Sequence, residues 1–521
     1  MLEKLIIVVN LIVYLALFCL FFIDIWEFSV DDSFIFFRYA ENIARGFGVV
    51  FNHGETPGEG FTSWAWVGLL SIICLSGFEL IVTSKCLGFL FFLFSAGLVF
   101  VIIAELNSWS STGKITAFIL AGGVLLNYPL LAHSVSGMET SLFIFSFTGL
   151  IYVTTRAWNG QEHDDKYWLL LSLSTFFLFL VRPEGIVAGG ISYLTLGIRH
   201  QGAWRKPRVY LFIMSGLIIP LALFLLWKLV YFGHILPLTF YHKVVSGERE
   251  YEWTFRLFFR FVGAYGWLIF PVLLLSYHTL YSHRKKIFWY YYILFIVMIG
   301  FYLFFVPVMN YLNRFYMPYL VVLVILLSPA VSSLVGTILN LKNGISRLVL
   351  ILLIFFLMVT GMNLNIHRDR RSVENWKMMV TPERYRGKLG RVMSFLPSTV
   401  VVANTEMGVI PYYSGLTCLD MAGLTDPIIA HQGLTMNYLS SRNTDLILFA
   451  RDVRKIPAQE FQTNYFPYGK IFLAPAFKHD YEFLGSFVAW ADKKSRYYFF
   501  VNKNSAKNSD IRQWYQKYVK L

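Results

Sequence analysis

The chain has 521 residues and a formal net charge of +14, and it is 56% hydrophobic, 18% aromatic and only 15% charged. Soluble domains carry about 25% charged residues, so this composition and the mean hydropathy of +0.56 exclude an ordinary soluble protein. The basic residues cluster in short connections between apolar runs, such as 205–208 and 284–286. Cytoplasmic loops of membrane proteins show this distribution, so we do not expect nucleic acid as a partner.

Apolar runs recur from the start of the chain to residue 365. The first, 5–22, lacks a small-residue cleavage site, so we predict a retained helix rather than a signal peptide. The later runs of roughly 17–25 residues are long enough to cross a hydrocarbon core of about 30 Å. We predict spans near 63–78, 81–104, 115–131, 138–155, 167–198, 209–231, 254–280, 287–307, 314–338 and 348–364. The fold class is therefore an α-helical polytopic membrane protein in the lipid bilayer, with about 11–13 transmembrane helices.

The basic loops also orient the chain. They place the N-terminus in the cytoplasm, and they place the first loop (24–62) and everything after 365 on the outer side. The long run 167–198 leaves two alternatives. As one helix it keeps 137–140 on the cytoplasmic side, whereas a break at Arg182-Pro183 moves 137–140 outside and requires another early span to be reassigned.

The last third of the chain changes character. Strand-like runs at 400–403, 446–449, 471–474 and 497–501 alternate with amphipathic stretches, of which 373–395 is the clearest. We therefore predict two domains, a membrane domain over 1–365 and an extracytoplasmic α/β domain over 366–521.

The first outer loop concentrates polar residues in a helical pattern. Asp31 or Asp32 is suited to the N-cap of a helix, and Gly46 is suited to its end. Arg38 then begins a polar stripe along one face, and aromatic residues fill the other faces. This pattern predicts an amphipathic helix at the membrane interface. The alternative for the two aspartates is a helix cap and a solvated charge without a catalytic role.

Several short islands follow in order along the chain. They are the glycine-punctuated stretch 46–62, Gly137-Met138-Glu139-Thr140, Arg182-Pro183-Glu184-Gly185, the stretch 231–243, Arg314-Phe315 and the stretch 411–426. Together with the paired aspartates, these islands resemble the GT-C glycosyltransferases, and most closely the branch of the mycobacterial terminal arabinofuranosyltransferases. Two positions depart from the pattern: Leu238 replaces a usual Asn, and Glu406 begins a Glu-x-Gly where Asp-x-Gly is common.

The resemblance implies an inverting glycosyltransferase on the outer face of a bacterial-type inner membrane. Its donor would be a polyprenyl-phosphate monosaccharide, with arabinofuranose as the leading candidate. Its acceptor would be a cell-envelope glycan, a lipid-linked glycan or an exported protein. Asp31 or Asp32 would be the general base. The candidates for binding the departing phosphate are Arg182, His242, Lys243 and Arg314, and the other substrate-binding candidates are Arg38, Glu139 and Glu184.

Other classes of function leave different signatures. The sequence has no Asp-x-Asp, no His-x-x-x-His and no cysteine cluster with ligand spacing, so we expect neither a metal nor another cofactor. The main alternative is a transporter or flippase for a lipid-linked sugar, which would pair charges near the bilayer midplane and repeat broken helices in two halves. A membrane anchor that presents a binding domain is a third possibility, but one span would suffice for it.

Overall fold

Helices dominate the computed structural model, which describes residues 2–160, 165–245, 251–281, 286–304, 311–452, 471–472, 474–489 and 495–520. The helices are α1 (Leu2–Ile25), α2 (Ser33–Ala44), α3 (Trp64–Leu75), α4 (Leu80–Leu106), α5 (Ser111–Leu125), α6 (Tyr128–Ser134), α7 (Thr140–Asn159), α8 (Lys166–Val181), α9 (Gly185–Arg199), α10 (Pro207–Ile213), α11 (Ile219–Phe232), α12 (Leu238–Val245), α13 (Tyr251–Tyr281), α14 (Ile287–Phe304), α15 (Met317–Leu339), α16 (Gly344–Met362), α17 (Ile366–Val380), α18 (Tyr385–Met393), α19 (Val409–Ser414), α20 (Pro427–Gln432), α21 (Met436–Ser441), α22 (Pro475–Asp480) and α23 (Asn508–Tyr518).

Six helices in the described part of the chain are long and apolar enough to cross a membrane, or seven if the bent pair α5 and α6 forms one span. Helices α10 and α11 count as one of the six, because a π-helical turn, Met214–Ile218, joins them into a continuous helix. Shorter apolar helices accompany these spans, among them α3, α8 and α9. The predicted polytopic helical fold is confirmed. The predicted count of about 11–13 spans is reached only if the shorter and bent helices also count as spans.

The long run 167–198 is broken at its proline. Helix α8 ends at Val181 and α9 begins at Gly185, with Arg182 extended at φ −153° and ψ 131°. A proline disfavours helical geometry in the residue before it and forces it towards the extended region. The predicted break at Arg182-Pro183 is therefore confirmed, and the two charged residues beside the proline lie between helices rather than within one.

The chain divides into two compact units whose segments are not consecutive. The helical unit comprises Met1–Glu27, Ser84–Leu225 and Glu250–Ser372. The sheet unit comprises Phe28–Thr83, Leu226–Arg249 and Val373–Leu521. Two segments of the predicted membrane domain, including the first loop with α2 and α3, thus pack with the C-terminal residues.

The sheet unit contains a five-stranded sheet in the order β2-β1-β3-β5-β4. Its strands are β1 (Val401–Asn404), β2 (Thr417–Asp420), β3 (Leu446–Asp452), β4 (Tyr481–Val488) and β5 (Ser495–Asn502). Strands β2, β1 and β3 are parallel, whereas β5 pairs antiparallel with both β3 and β4. The α/β character of the C-terminal part is confirmed, but the predicted strand at 471–474 is wrong, since Ile471 and Phe472 form a helical turn. Both side chains are buried in the hydrophobic core of the sheet unit instead.

Helix α2 begins where the first loop predicts a helix, but it is not an exposed interfacial helix. The side chains of Phe34, Phe37 and Tyr39 are buried within the sheet unit. The ring of Phe34 lies 5.2 Å from that of Tyr412, and the hydroxyl of Tyr39 donates to the carbonyl of Gly58 at 2.7 Å. The helix was predicted correctly and its surroundings were not, because C-terminal residues cover its apolar faces.

Candidate active site

The acidic pair precedes α2 directly and its two members differ in exposure. Asp31 is 4% exposed, whereas Asp32, at the N-cap position, is only half-buried. The Ser33 hydroxyl donates to the carbonyl of Val30 at 2.7 Å and tightens the turn that carries both aspartates. The pair therefore offers one carboxylate held inside the protein and one that is partly accessible.

Residues of the C-terminal segment hold both oxygens of Asp31. The backbone N–H of Val409 donates to Oδ1 at 2.9 Å, and Nη1 of Arg386 donates to Oδ2 at 3.1 Å. A side-chain carbon on Gly408 would lie 2.2 Å from the Asp31 carbonyl oxygen, so only glycine allows this approach of the two backbones. The orientation of Asp31 is therefore fixed by residues more than 350 positions away.

Arg386 also forms a two-pronged ion pair with Glu406. Its Nη1 and Nη2 each donate to one oxygen of that carboxylate at 2.8 Å, the geometry in which arginine binds carboxylates most strongly. Asn404, at the carboxyl end of β1, accepts from the backbone N–H of Glu406 and donates to its carbonyl. Three acidic residues, Asp31, Asp32 and Glu406, thus interact electrostatically around one guanidinium.

The pKa of Glu406 makes this group sensitive to pH. Burial is the main cause of the shift, and the charges of Asp31 and Asp32 add to it. Together they raise the pKa of Glu406 to about 7, although the charge of Arg386 acts to lower it. The buried hydroxyl of Tyr497 on β5 also interacts electrostatically with the group. Because the folded state holds this proton more tightly than an unfolded chain with a pKa of 4.5, stability falls as the pH rises from about 4.5 to about 7.

We expect Glu406→Gln to remove this fall in stability, which is on the order of 3 kcal/mol. Thermal unfolding of the detergent-solubilised protein between pH 4 and pH 8 measures it, at about half-unit steps. Glu383→Gln, which changes an exposed carboxylate before α18, is the matched control and should leave the slope as in the wild type. An unchanged slope in Glu406→Gln would show that another group titrates.

Arg38 ties the first loop to the C-terminal segment. Its guanidinium donates to the carbonyls of Phe51, Pro411 and Leu416 and to Oδ1 of Asn52, at distances of 2.6–2.9 Å. The same group lies 4.6 Å from the centre of the Phe51 ring. The guanidinium therefore donates its hydrogen bonds to acceptors within the protein.

We expect Arg38→Lys to destabilise the protein by about 2–4 kcal/mol, since an ammonium cannot reproduce the planar fork that reaches four acceptors. Arg45→Lys, an exposed change at the end of the same helix, should cost less than about 0.5 kcal/mol. Equilibrium unfolding in detergent compares the two variants. Equal stability of both would mean that the Arg38 contacts contribute nothing to the fold.

The helical unit contains a second charged cluster around Glu139. Gly137, with φ of +79°, forms the turn that places Glu139 before α7. Oε1 of Glu139 accepts from Nε of Arg182 at 2.8 Å and from Nη2 of Arg314 at 2.6 Å. Glu139 is therefore a buried carboxylate between two buried guanidinium groups.

Several polar atoms of this cluster have no hydrogen-bond partner within the described residues. They are Oε2 of Glu139 and both terminal nitrogens of Arg182, although one of these nitrogens lies 2.7 Å from Oε1 of Glu139. Arg182 packs against the rings of Phe143 and Phe315 at 5.1 and 4.9 Å. Buried polar atoms are normally paired with protein or water, so the cluster retains donors and an acceptor that suit a polar ligand.

The remaining candidates differ in how well they are placed. Glu184 accepts a hydrogen bond from the hydroxyl of Tyr302 and lies 3.9 Å from Arg182, so it joins the cluster around Glu139. His242 and Lys243 lie in α12, but their side chains are outside the part of the chain that the structure describes. Within the described ranges, no three His, Cys, Asp or Glu side chains are arranged to hold a metal ion.

Arg386 and Glu406 are the two residues that sequence reasoning missed. Arg386 lies in a strongly basic amphipathic helix, where it is not distinguishable from exposed neighbours by pattern alone. Glu406 carried a signal, because it occupies the position where the resembling family commonly has Asp-x-Gly. That departure marks the residue that pairs with Arg386, and Gly408 of the same island is the glycine against Asp31.

Comparisons with known proteins match separate parts of the chain. A family described as a domain of unknown function (DUF8728) matches residues 375–501. The terminal beta-(1->2)-arabinofuranosyltransferase of Mycobacterium tuberculosis is 28% identical over 228 residues, which cover 42% of this chain and 35% of the relative. The chain thus matches about a third of the length of that curated relative.

Solved structures match almost the whole chain. The crystal structure of ArnT from Cupriavidus metallidurans in the apo state superposes with a TM-score of 0.58 at 12% identity, covering 95% of this chain and 97% of ArnT. The structure of the same protein bound to undecaprenyl phosphate gives a TM-score of 0.57 at 11% identity. The resemblance predicted from the sequence islands is confirmed by both kinds of comparison. The chain is a multi-pass membrane protein with the GT-C fold that it shares with ArnT.

Proposed function

We propose that this protein is an inverting glycosyltransferase that moves a monosaccharide from a polyprenyl-phosphate carrier to a hydroxyl acceptor. The observation that carries the proposal is the acidic pair before α2, with Asp31 held by Arg386 and Asp32 partly accessible. The names of the matched proteins support the donor class, since one is an arabinofuranosyltransferase and the other was crystallised with undecaprenyl phosphate. Arabinofuranose is the leading candidate for the sugar, and the acceptor is a cell-envelope glycan, a lipid-linked glycan or an exported protein.

In the proposed reaction Asp32 acts as the general base. Its carboxylate takes the proton of the acceptor hydroxyl while that oxygen attacks the anomeric carbon, and the bond from this carbon to the phosphate oxygen breaks. The bonding electrons leave with the phosphate, so the configuration at the anomeric carbon inverts. Asp31 is less suited to this role because Arg386 and Val409 already bind its two oxygens.

The cluster around Glu139 is the proposed site for the polar head of the donor. Arg182 and Arg314 supply buried positive charge for the phosphate, and the unpartnered oxygen of Glu139 suits a sugar hydroxyl. Lys243 and His242 remain proposed phosphate ligands from the sequence islands alone. Arg38 is proposed to support the first loop rather than to contact substrate, because its donors are engaged within the protein.

For the cellular location we propose the inner membrane of a bacterial-type cell. The N-terminus would be cytoplasmic and residues 366–521 extracytoplasmic, as the basic loops between apolar runs predict. Labelling single engineered cysteines at an exposed position of α23 with a membrane-impermeant maleimide tests the orientation. Labelling in intact spheroplasts supports it, and labelling only after lysis contradicts it.

A transfer assay tests the activity. The purified protein in detergent is given radiolabelled polyprenyl-phosphate arabinofuranose, mannose or glucose with a pool of envelope glycans and exported pilins. We expect label to move from the lipid to an acceptor with at least one donor, with inversion seen by NMR of the product. No transfer with any donor would contradict the proposal.

The buried charges of Glu139, Arg182 and Arg314 also suit a flippase for a lipid-linked sugar, the rival function. Proteoliposomes separate the two functions. A flippase moves intact labelled carrier across the bilayer without any acceptor, whereas the proposed transferase consumes carrier only when an acceptor is present.

A further inference from the structure

The C-terminal segment does more than form a separate domain, because it supplies every described donor to the Asp31 carboxylate. Nη1 of Arg386 and the N–H of Val409 occupy one oxygen each. Both donors lie within residues 375–501, the range that matches a domain of unknown function. The geometry of the acidic pair therefore depends on the C-terminal segment as well as on the first loop.

Two features show that the contact between the C-terminal segment and Asp31 is specific. Arg386 is 4% exposed and is itself fixed by the two-pronged contact with Glu406. Gly408 leaves no room for a side chain against the Asp31 carbonyl and carboxyl groups. A guanidinium that is bound on one side can hold a second carboxylate in only one direction, since its donors form a planar fork.

We propose that Arg386 is a positioning residue for the acidic pair, and that Glu406 in turn fixes Arg386, so that the C-terminal domain completes the catalytic centre. The inference rests on the proposed function insofar as it concerns the rate of transfer. Arg386 holds the Asp31 carboxylate in one orientation, which sets the direction in which the adjacent Asp32 faces the acceptor. Arg386 itself does not contact the reacting atoms in this scheme.

Steady-state kinetics of the full-length protein test the positioning role. We expect Arg386→Gln to lower kcat by about 100-fold with little change in KM for the carrier, since orientation of a base affects the transition state more than binding. Arg386→Lys should recover part of the loss because it keeps the charge. Arg391→Gln changes an exposed arginine of the same helix and should behave as the wild type. A rise in KM at unchanged kcat would overturn the proposal.

Loss of a buried arginine can also destabilise the protein by leaving Glu406 unpaired. The double variant Arg386→Gln/Glu406→Gln removes both charges, so that Glu406 is not left as an unpaired ion, and it thereby separates folding from positioning. We expect it to unfold near the wild-type temperature and still to show the loss of kcat. Wild-type kcat in a folded double variant would refute the role of Arg386.

A readout without catalysis separates this inference from the proposed function. Carbodiimide with an amine modifies protonated, accessible carboxyl groups, and peptide mass spectrometry then measures modification of Asp31. We expect little modification in the wild type and in Arg391→Gln, because Arg386 and Val409 bind both oxygens of Asp31, and at least fivefold more in the double variant. Equal modification in all three proteins would overturn the inference, whether or not transfer is observed. Absence of transfer together with the expected labelling pattern would contradict only the proposed function.

Discussion

Asp32→Asn is expected to reduce sugar transfer by a factor of about 10²–10⁴, the usual contribution of a general base. An amide has nearly the shape of the carboxylate but cannot take the proton of the acceptor hydroxyl. Asp32 is half-buried and lies at the N-cap of α2, where asparagine is an equally good residue. The stability of the helix should therefore remain unchanged, which makes the loss attributable to chemistry. Single-turnover rates with the active donor measure the effect.

Asp31→Asn provides the internal comparison for this prediction. The substitution removes a charge that Arg386 contacts at 3.1 Å, but Arg386 keeps its pair with Glu406. We expect a smaller loss of transfer, about tenfold to 100-fold, because the neighbouring base loses its fixed support but is still present. A larger loss in Asp31→Asn than in Asp32→Asn would reverse the two roles. Normal transfer by both variants would exclude the acidic pair as the source of the base.

A third substitution separates the base from the general negative charge of the loop. Glu41 lies in α2, the helix that follows the acidic pair, and accepts a hydrogen bond from the hydroxyl of Tyr412. Glu41→Gln removes one negative charge from the sheet unit and keeps an acceptor for that hydroxyl. We expect transfer within about twofold of the wild type. A large loss in this variant would indicate that the charge of the loop matters more than the position of Asp32.

The predictions that succeeded depend on local sequence. The proline at 183 specifies the break after α8, because it acts through neighbouring backbone atoms. The apolar runs similarly specify helices in a bilayer without reference to the rest of the chain. Such features are independent of how distant segments meet.

The predictions that failed or were missing depend on contacts between distant segments. The aromatic residues of α2 suit a membrane interface and a protein interior equally, so burial of Phe34 against Tyr412 was not predictable from their pattern. Arg386 and Asp31 are 355 residues apart, and nothing in the local sequence of α18 distinguishes that arginine from exposed ones. The cluster around Glu139 is intermediate. Its residues were predicted as candidates from the islands, but their mutual contacts became visible only in the structure.

Glu139→Gln is expected to destabilise the helical unit by about 3–5 kcal/mol, the cost of leaving buried charge uncompensated. Glu139 and Glu184 balance the charges of Arg182 and Arg314 in the native cluster. The substitution leaves one positive charge in excess, and all four side chains are largely buried. Equilibrium unfolding in detergent measures the loss. Glu252→Gln, which breaks an exposed pair with Arg256, should cost less than about 1 kcal/mol.

The double variant Glu139→Gln/Arg314→Met separates stability from ligand binding. It restores charge balance, because Arg182 and Glu184 remain as one pair, and methionine replaces the buried stem of the arginine. We expect most of the lost stability to return, while affinity for undecaprenyl phosphate falls at least tenfold because one of the proposed phosphate-binding charges is gone. Surface plasmon resonance with the protein in nanodiscs gives that affinity. If the stable double variant binds the lipid as tightly as the wild type, the buried arginines serve the fold, and the phosphate is bound elsewhere.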